Sequence, residues 1–244
     1  MKNIVLFIVI SFISFNGHAQ NSSKKVQVDL GLFYSQKSLY RGALIWDSPM
    51  LGAGPRFTFF NAITLAGPGL TFFKEFLPGQ TLSLGLSYFD DNEPGGPFIF
   101  FKDETVDFKN KRGATIDSFL SYEFKFKWMF ATKLEFHQDL KRNKGQYLYY
   151  EFSTNLIPFV GVGFAAGLGD KKNNQYVYGP DGSGGLGHVD YFVSHFRKGF
   201  LPWGGNLLLK YTRVTISKDS NSNADFIRGI DSHDQFNIGA FWAL

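Results

Sequence analysis

The fold is decided by the last ten residues of the chain, which read QFNIGAFWAL over residues 235–244. Every second position is apolar, at Phe236, Ile238, Ala240, Trp242 and Leu244. Because successive side chains of a β-strand point to opposite faces, one face of this segment is apolar and the other mostly is not. The pattern predicts a strand whose apolar face meets lipid. An alternating strand also suits the end of a soluble β-sandwich, so the remaining sequence must separate the two.

This segment resembles the closing strand by which bacterial outer-membrane barrels are recognised for insertion. The likeness lies in the terminal apolar residue and in the aromatic Trp242 two places before it. It departs at Leu244, where such barrels usually end in Phe. We expect Phe236, Ile238, Ala240, Trp242 and Leu244 to form a membrane-facing strand that pairs with the first strand and removes the free edges of the sheet.

The first 19 residues have the three parts of a secretory signal peptide. Lys2 gives a positive start, residues 4–15 are apolar apart from two serines, and Gly17-His18-Ala19 is a small-x-small cleavage site. The alternative is an N-terminal membrane anchor, but the apolar run is shorter than the ~20 residues that a spanning helix needs. We therefore predict a cleaved signal peptide at residues 1–19 and one barrel domain at residues 20–244, exported to the outer membrane of a Gram-negative bacterium.

The composition favours an exported membrane barrel. Cysteine is absent, which excludes disulfides and a lipoprotein anchor. Aromatic residues make up 18% of the chain, a load that suits a barrel with aromatic belts at both membrane interfaces. The net charge is only +4 and the basic and acidic residues are interspersed, so nucleic-acid binding is not expected.

Alternation with a period of two recurs along the chain. It is clear at residues 26–34 and 82–88 and over four successive strands between residues 115 and 168. Tight connections, at residues 125–127 and 156–158, alternate with long ones, at residues 139–144 and 170–185, as they do in outer-membrane barrels. Eight strands follow Thr81, and an even number must precede it. The predicted fold is all-β, an antiparallel transmembrane barrel of ten or twelve strands.

Two groups of residues in the sequence are candidates for a catalytic or metal site. His233 lies among carboxylates in the tetrapeptide 231–234, as a hydrolase that activates water would require, but a solvated loop is the favoured interpretation. Glu135 and His137 are two apart on one strand, which favours an interior hydrogen-bonded pair over a metal site that lacks further ligands. We predict no catalytic, cofactor or metal site, and no enzyme.

The order of several short motifs resembles the MipA/OmpV family of outer-membrane proteins. The similarity is diffuse, covers nearly the whole mature chain, and rests on the stretches at residues 38–42, 54–60, 82–88, 145–150, 176–179 and 210–214. The resemblance implies a barrel without enzymatic activity. It further implies a scaffold that binds a murein-degrading lytic transglycosylase and a murein-synthesising penicillin-binding protein at the inner face of the outer membrane.

Three functions remain open from the sequence. The first is this scaffold or envelope-organising role, the second is a small passive pore or ligand-binding barrel, and the third is an outer-membrane hydrolase. Inward aromatics at Phe33, Phe119, Tyr147 and Tyr149 favour a filled lumen, whereas inward glycines at 161, 163 and 167 favour free space. The alternative is that these small residues leave room for bulky inward neighbours. Expected partners are membrane lipid and lipopolysaccharide, whose phosphates Lys141, Arg142 and Lys144 could meet; ordinary solvation of that loop is the alternative.

Overall fold

The computed structural model describes residues 25–46, 48–89, 99–102, 113–127, 129–217 and 231–244. The predicted signal peptide and two long loops fall largely or wholly outside these ranges. The elements in chain order are β1 Val26–Ser35, β2 Ser38–Tyr40, β3 Ala43–Trp46, β4 Met50–Phe59, β5 Ile63–Ala66, β6 Gly69–Leu77, β7 Gln80–Phe89, β8 Ile99–Lys102, β9 Thr115–Phe126, β10 Phe130–Asp139, β11 Gln146–Ile157, β12 Val160–Gly169, α1 Lys171–Tyr178, β13 Gly185–Leu201, β14 Gly205–Ile216 and β15 Ser232–Ala243.

Twelve of the strands form a closed antiparallel ring. The ring closes because β1 bonds to β15 on one side and to β4 on the other, with Leu32 opposite Ala240 and Ala53. Eight of its strands lie after Gly79 and four before it, so the predicted all-β barrel of ten or twelve strands is confirmed. No helix in the described ranges is long and apolar enough to cross a membrane.

The wall is irregular beside β4. The strand β5 has four residues and pairs only with the last part of β4, whereas β8 pairs with its first part, where Met50 lies opposite Lys102. The neighbouring strand β6 bonds to β7 up to the pair Leu70 and Leu86. Among the described residues β8 forms no ladder with β7. At this level the hydrogen-bonded ring is therefore interrupted between β8 and the end of β7.

The outward face of the barrel is apolar. Alternate side chains along the wall strands leave leucine, phenylalanine and valine exposed, as Leu30, Leu84, Leu120, Leu134 and Val193 illustrate. Their neighbours in sequence, such as Asp117, Glu135 and Glu151, are buried or half-buried inside the ring. An apolar outer band and a polar interior are the two faces of a transmembrane barrel.

The two ends of the barrel differ in their connections. The start of β1 and the end of β15 lie at one end, since Asp29 pairs with Ala243. The five turns at this end are tight; we call them the terminal rim, and they comprise residues 60–62, 78–79, 127–129, 158–159 and 202–204. Five of the six connections at the opposite end, the loop end, are longer. This asymmetry confirms the predicted alternation of tight and long connections.

A compact plug packs inside the loop end. It consists of the hairpin β2–β3 and the helix α1, and its residues pack against Phe89 and Ile216 of the wall. From the hairpin come Tyr40, Ala43 and Ile45, and from the helix come Val177 and Tyr178, all of them buried. The sequence predicted an irregular loop at residues 170–185, so the helix is a correction. It forms because the side chain of Asp170 accepts a hydrogen bond from the backbone N–H of Asn173, which satisfies an N-terminal donor.

Candidate functional site in the barrel lumen

A buried arginine at the tip of the β2–β3 hairpin ties the plug to the wall. The Arg41 Nη2 atom lies 2.7 Å from Oδ2 of Asp117 on β9, and both side chains are almost fully buried. The guanidinium also donates to Oδ1 of Asn173 on α1 and lies over the ring of Tyr147, with Cζ 4.4 Å from the ring centroid. We call Arg41, Asp117, Asn173 and Tyr147 the latch. It joins the hairpin, the helix and two wall strands at one point.

The guanidinium of Arg41 in the latch stays positively charged. Burial by itself lowers the pKa of Arg41, yet the pKa is raised because Tyr40 and Asp117 lie beside the guanidinium. The arginine therefore stays protonated at any physiological pH, and titration of this residue cannot release the plug.

A short hydrogen-bonded chain continues from the latch along the wall. The hydroxyl of Tyr147 lies 2.8 Å from Nε2 of His188, and Nδ1 of His188 lies 2.8 Å from Oδ1 of Asp190. The tip of the hairpin packs tightly against His188 in this series of hydrogen bonds, because a Cβ added to Gly42 would lie 2.5 Å from Cγ of His188. Gly42 has φ of 81°, so the position suits glycine for two separate reasons.

Ion pairs line the lumen between the latch and the terminal rim. Lys133 pairs with Glu135, Glu123 lies 2.9 Å from Lys125, and Arg56 lies 2.7 Å from Asp29. The predicted interior pair is confirmed, since Nε2 of His137 lies 3.0 Å from Oε1 of Glu135. No group of three or more metal-ligating side chains occurs in the described part of the chain.

The interior charges differ in exposure between the two ends of the barrel. The side chains of Lys133 and Lys125 are 34% and 23% exposed, and that of Arg56 is 37% exposed. At the latch the corresponding values for Arg41 and Asp117 are 5% and 6%. Among the described residues, the charges nearer the terminal rim are thus partly exposed, whereas those beside the plug are buried.

One interior cation lacks a carboxylate partner among the described residues. The ammonium of Lys210 lies 4.1 Å from the ring centroid of Phe192, and the residues opposite Lys210 on the two adjacent strands are Ser194 and Asn237. A cation beside a hydroxyl, an amide and an aromatic face can bind an anionic solute transiently.

The inward glycines do not leave free space. A Cβ added to Gly163 would lie 2.5 Å from Phe192, and one added to Gly85 would lie 2.5 Å from Phe119. At Gly167 an added Cβ would collide with both Tyr147 and His188. The expectation that glycines widen the lumen is therefore wrong: they make room for bulky neighbours on adjacent strands. Phe33 and Tyr147 are buried, as the alternative expectation required.

The tetrapeptide at residues 231–234 forms no hydrolytic centre. His233 begins the inward face of β15 and is 2% exposed, which corrects the solvated-loop interpretation for this residue. Asp234 lies on the opposite, outward face, where it accepts hydrogen bonds from Tyr211 and Arg213. Successive residues on a strand point apart, so His233 and Asp234 cannot act on one water molecule.

The C-terminal stretch, residues 235–244, forms the last part of β15 and the residue that follows it. Its outward residues Trp242, Ala240 and Ile238 stand opposite Leu30, Leu32 and Tyr34 of β1. The indole of Trp242 donates to the carbonyl of Pro202 at 2.9 Å, and the N–H of Leu244 donates to the carbonyl of Val28 at 2.8 Å. Phe236 and Leu244 are exposed on the same face. The role of these residues in insertion stays a prediction.

Comparisons with known proteins place the chain beside other barrels at low similarity. No family model and no curated protein matches it. Similar solved structures include an outer-membrane channel from Pseudomonas putida F1, with 7% identity, a TM-score of 0.48, and coverage of 91% of this chain and 97% of that one. The NanC porin has 9% identity, a TM-score of 0.46, and coverage of 90% and 100%. OprD from Pseudomonas aeruginosa has 9% identity, a TM-score of 0.38, and coverage of 89% and 65%. The barrel architecture therefore rests on the strand pairing of this chain itself.

Proposed function

We propose that this chain is an outer-membrane channel for small polar solutes, whose outer mouth is held closed by the plug. The observation that carries the proposal is the partly exposed, charged interior that ends at the buried latch. Eight-stranded barrels are filled by side chains and those with sixteen or more strands hold aqueous channels. A barrel of twelve strands lies between, so the side chains that fill it decide its function.

Charged side chains support a hydrated lumen. Asp29, Arg56, Glu123, Lys125 and Lys133 all keep part of their surface accessible while facing inward. An ionised group at membrane depth is expensive unless it meets water or a partner, and such groups in spanning segments characteristically line pathways. Pairing and partial hydration together explain why these residues are tolerated.

The outward face supports placement in the outer membrane. Exposed leucine and aromatic side chains suit lipid, and the predicted signal peptide would deliver the chain across the inner membrane. At the loop end, Lys141, Arg142 and Lys144 extend from a short loop whose backbone N–H groups bind the carboxylate of Asp139. An ordered loop with exposed cations is suited to the phosphates of lipopolysaccharide in the outer leaflet.

Planar-bilayer recording tests the channel directly. We expect wild-type protein to conduct rarely, and Arg41→Gln or Asp117→Asn to raise the open probability, because each change breaks the ion pair that ties the plug to the wall. Arg213→Gln is the matched control, since its partner Asp234 lies on the outer face. Heat-modifiable gel mobility shows that each variant is folded. Folded latch variants that remain silent would refute the channel.

A second candidate is the scaffold implied by the MipA/OmpV resemblance. The buried plug favours it, because a barrel that is closed at its mouth needs no transported solute. In this role the terminal rim would face lytic transglycosylase and penicillin-binding protein in the periplasm. The test is a pull-down from solubilised envelopes with the intact chain as bait: recovery of both murein enzymes supports the scaffold, and their absence, with wild-type conductance present, rejects it.

A further inference from the structure

We propose that the terminal rim carries a binding site for an anionic phospholipid of the periplasmic leaflet, with Arg197 as its phosphate-binding residue. The proposal goes beyond solute passage and rests on the outer-membrane placement. We call Arg197, Phe159 and Phe200 the rim site. These residues lie on the last part of β13 and on the turn between β11 and β12.

The geometry of the rim site presents a cation on an aromatic support. The guanidinium carbon of Arg197 lies 4.9 Å from the ring centroid of Phe159 and 5.4 Å from that of Phe200. Such contacts hold the side chain by its face and leave the N–H groups at its edge free to bind a phosphate in a bidentate way. Among the described residues, no carboxylate forms an ion pair with Arg197.

The charge at the rim site is positive. None of the residues in the five rim turns is acidic, and Lys198, which follows Arg197, is also exposed. The exposed Glu75 lies beside a different turn, where it accepts a hydrogen bond from the backbone N–H of Gly79 at 2.7 Å. The charge that attracts an anion is therefore local to Arg197 and its neighbour.

Exposed aromatic surface identifies the anion as a lipid. Phe159 and Phe200 are more than half exposed, and Trp203 on the adjoining turn is 94% exposed. Amphipathic and aromatic rings settle at the headgroup level of a bilayer, where apolar surface leaves water while cations reach the phosphates. Free phosphate would use the cations but would leave these rings in water. A phospholipid headgroup with its acyl chains uses both.

Native mass spectrometry of the purified full chain, exchanged into mixed phosphatidylethanolamine and phosphatidylglycerol micelles, tests the site. We expect wild type to retain phosphatidylglycerol preferentially. Arg197→Gln should reduce that preference by about fivefold. The control Arg213→Gln removes an outward cation from β14 at the other end and should leave the preference unchanged. Excess inorganic phosphate should not displace the retained lipid.

Two results would overturn the rim site: equal retention of both lipids by wild type, or an unchanged preference in Arg197→Gln. Bilayer recordings on the same variant separate this outcome from failure of the channel, because the rim site lies outside the lumen. Loss of lipid preference with wild-type conductance supports the rim site alone. Conductance in wild type without lipid preference rejects the rim site and leaves the channel standing.

Discussion

At the residue scale, the latch depends on one arginine that the sequence did not single out. Residues 38–49 indicated a loop with some extended structure, and Arg41 stood there between a tyrosine and a glycine. Its partners Asp117 and Asn173 are 76 and 132 residues away in the chain. Contacts of that range exist only after the ring closes, so no local pattern could reveal them.

Gly42 offers a sharp test of how the plug is seated. Gly42→Ala should destabilise the seated plug by about 1 to 2 kcal/mol from backbone strain alone, and the contact with His188 adds to this. The expected result is a higher open probability in planar bilayers.

The matched control for Gly42 is Gly204→Ala. Gly204 also has a positive φ, of 76°, but an added Cβ would meet nothing within 4 Å. The control therefore carries the strain without the collision and lies at the opposite end of the barrel. If both variants leave gating untouched, the hairpin tip does not hold the plug.

Lys210 should set the ionic preference of the open lumen. In an Arg41→Gln background, Lys210→Glu should move the permeability ratio towards cations by about 30-fold, because it changes the charge by two units and each unit charge about 4 Å from an ion in water contributes about 1 kcal/mol. The reversal potential under a salt gradient measures the change. Lys210→Gln removes the charge without reversing it and should give an intermediate value; identical potentials for all three proteins would place the ion path away from β14.

At the element scale, the strands could be predicted from the sequence and the helix could not. The wall strands alternate with a period of two, and this period depends only on which face each residue occupies. The helix α1 has a mostly polar sequence, although Asp170 before it and Gly179-Pro180 after it are start and stop signals. The glycine-rich stretch that follows favoured a loop over a helix. In addition, Val177 and Tyr178 are buried by the barrel around them, which the local sequence does not show.

The closing strand is the element whose sequence has a predicted role in assembly. Trp242→Asp or Leu244→Asp should prevent accumulation of folded protein in the outer-membrane fraction. Both residues lie near the terminal rim, where charge on the lipid face costs only about 0 to 1 kcal/mol. A block at these positions therefore reflects lost recognition during insertion rather than lost stability.

Leu84→Lys is the informative comparison for the closing strand. Leu84 lies in the middle of β7 and faces outward, where a lysine costs about 2 to 4 kcal/mol near the membrane centre. We expect this variant to reach the membrane but to unfold at a lower denaturant concentration. Heat-modifiable mobility in membrane fractions measures both effects, and normal assembly of Trp242→Asp would exclude the recognition role.

At the scale of the whole molecule, the sequence predicted the ring and missed what fills it. Tight and long connections assigned the two ends, and counting eight strands from Thr81 limited the total to ten or twelve. The same alternation could not show that Gly163 and Gly167 receive side chains from other strands. That fit depends on the register between strands, which alternation within a single strand does not define.

The interruption beside β8 gives the wall a mechanical property. A closed barrel behaves as a hoop, in which any change of circumference must break a full ladder of backbone hydrogen bonds. Between β8 and the end of β7 the described residues form no such ladder, so the wall is mechanically weaker there, close to the loop end. Under thermal or osmotic stress the barrel should yield there first.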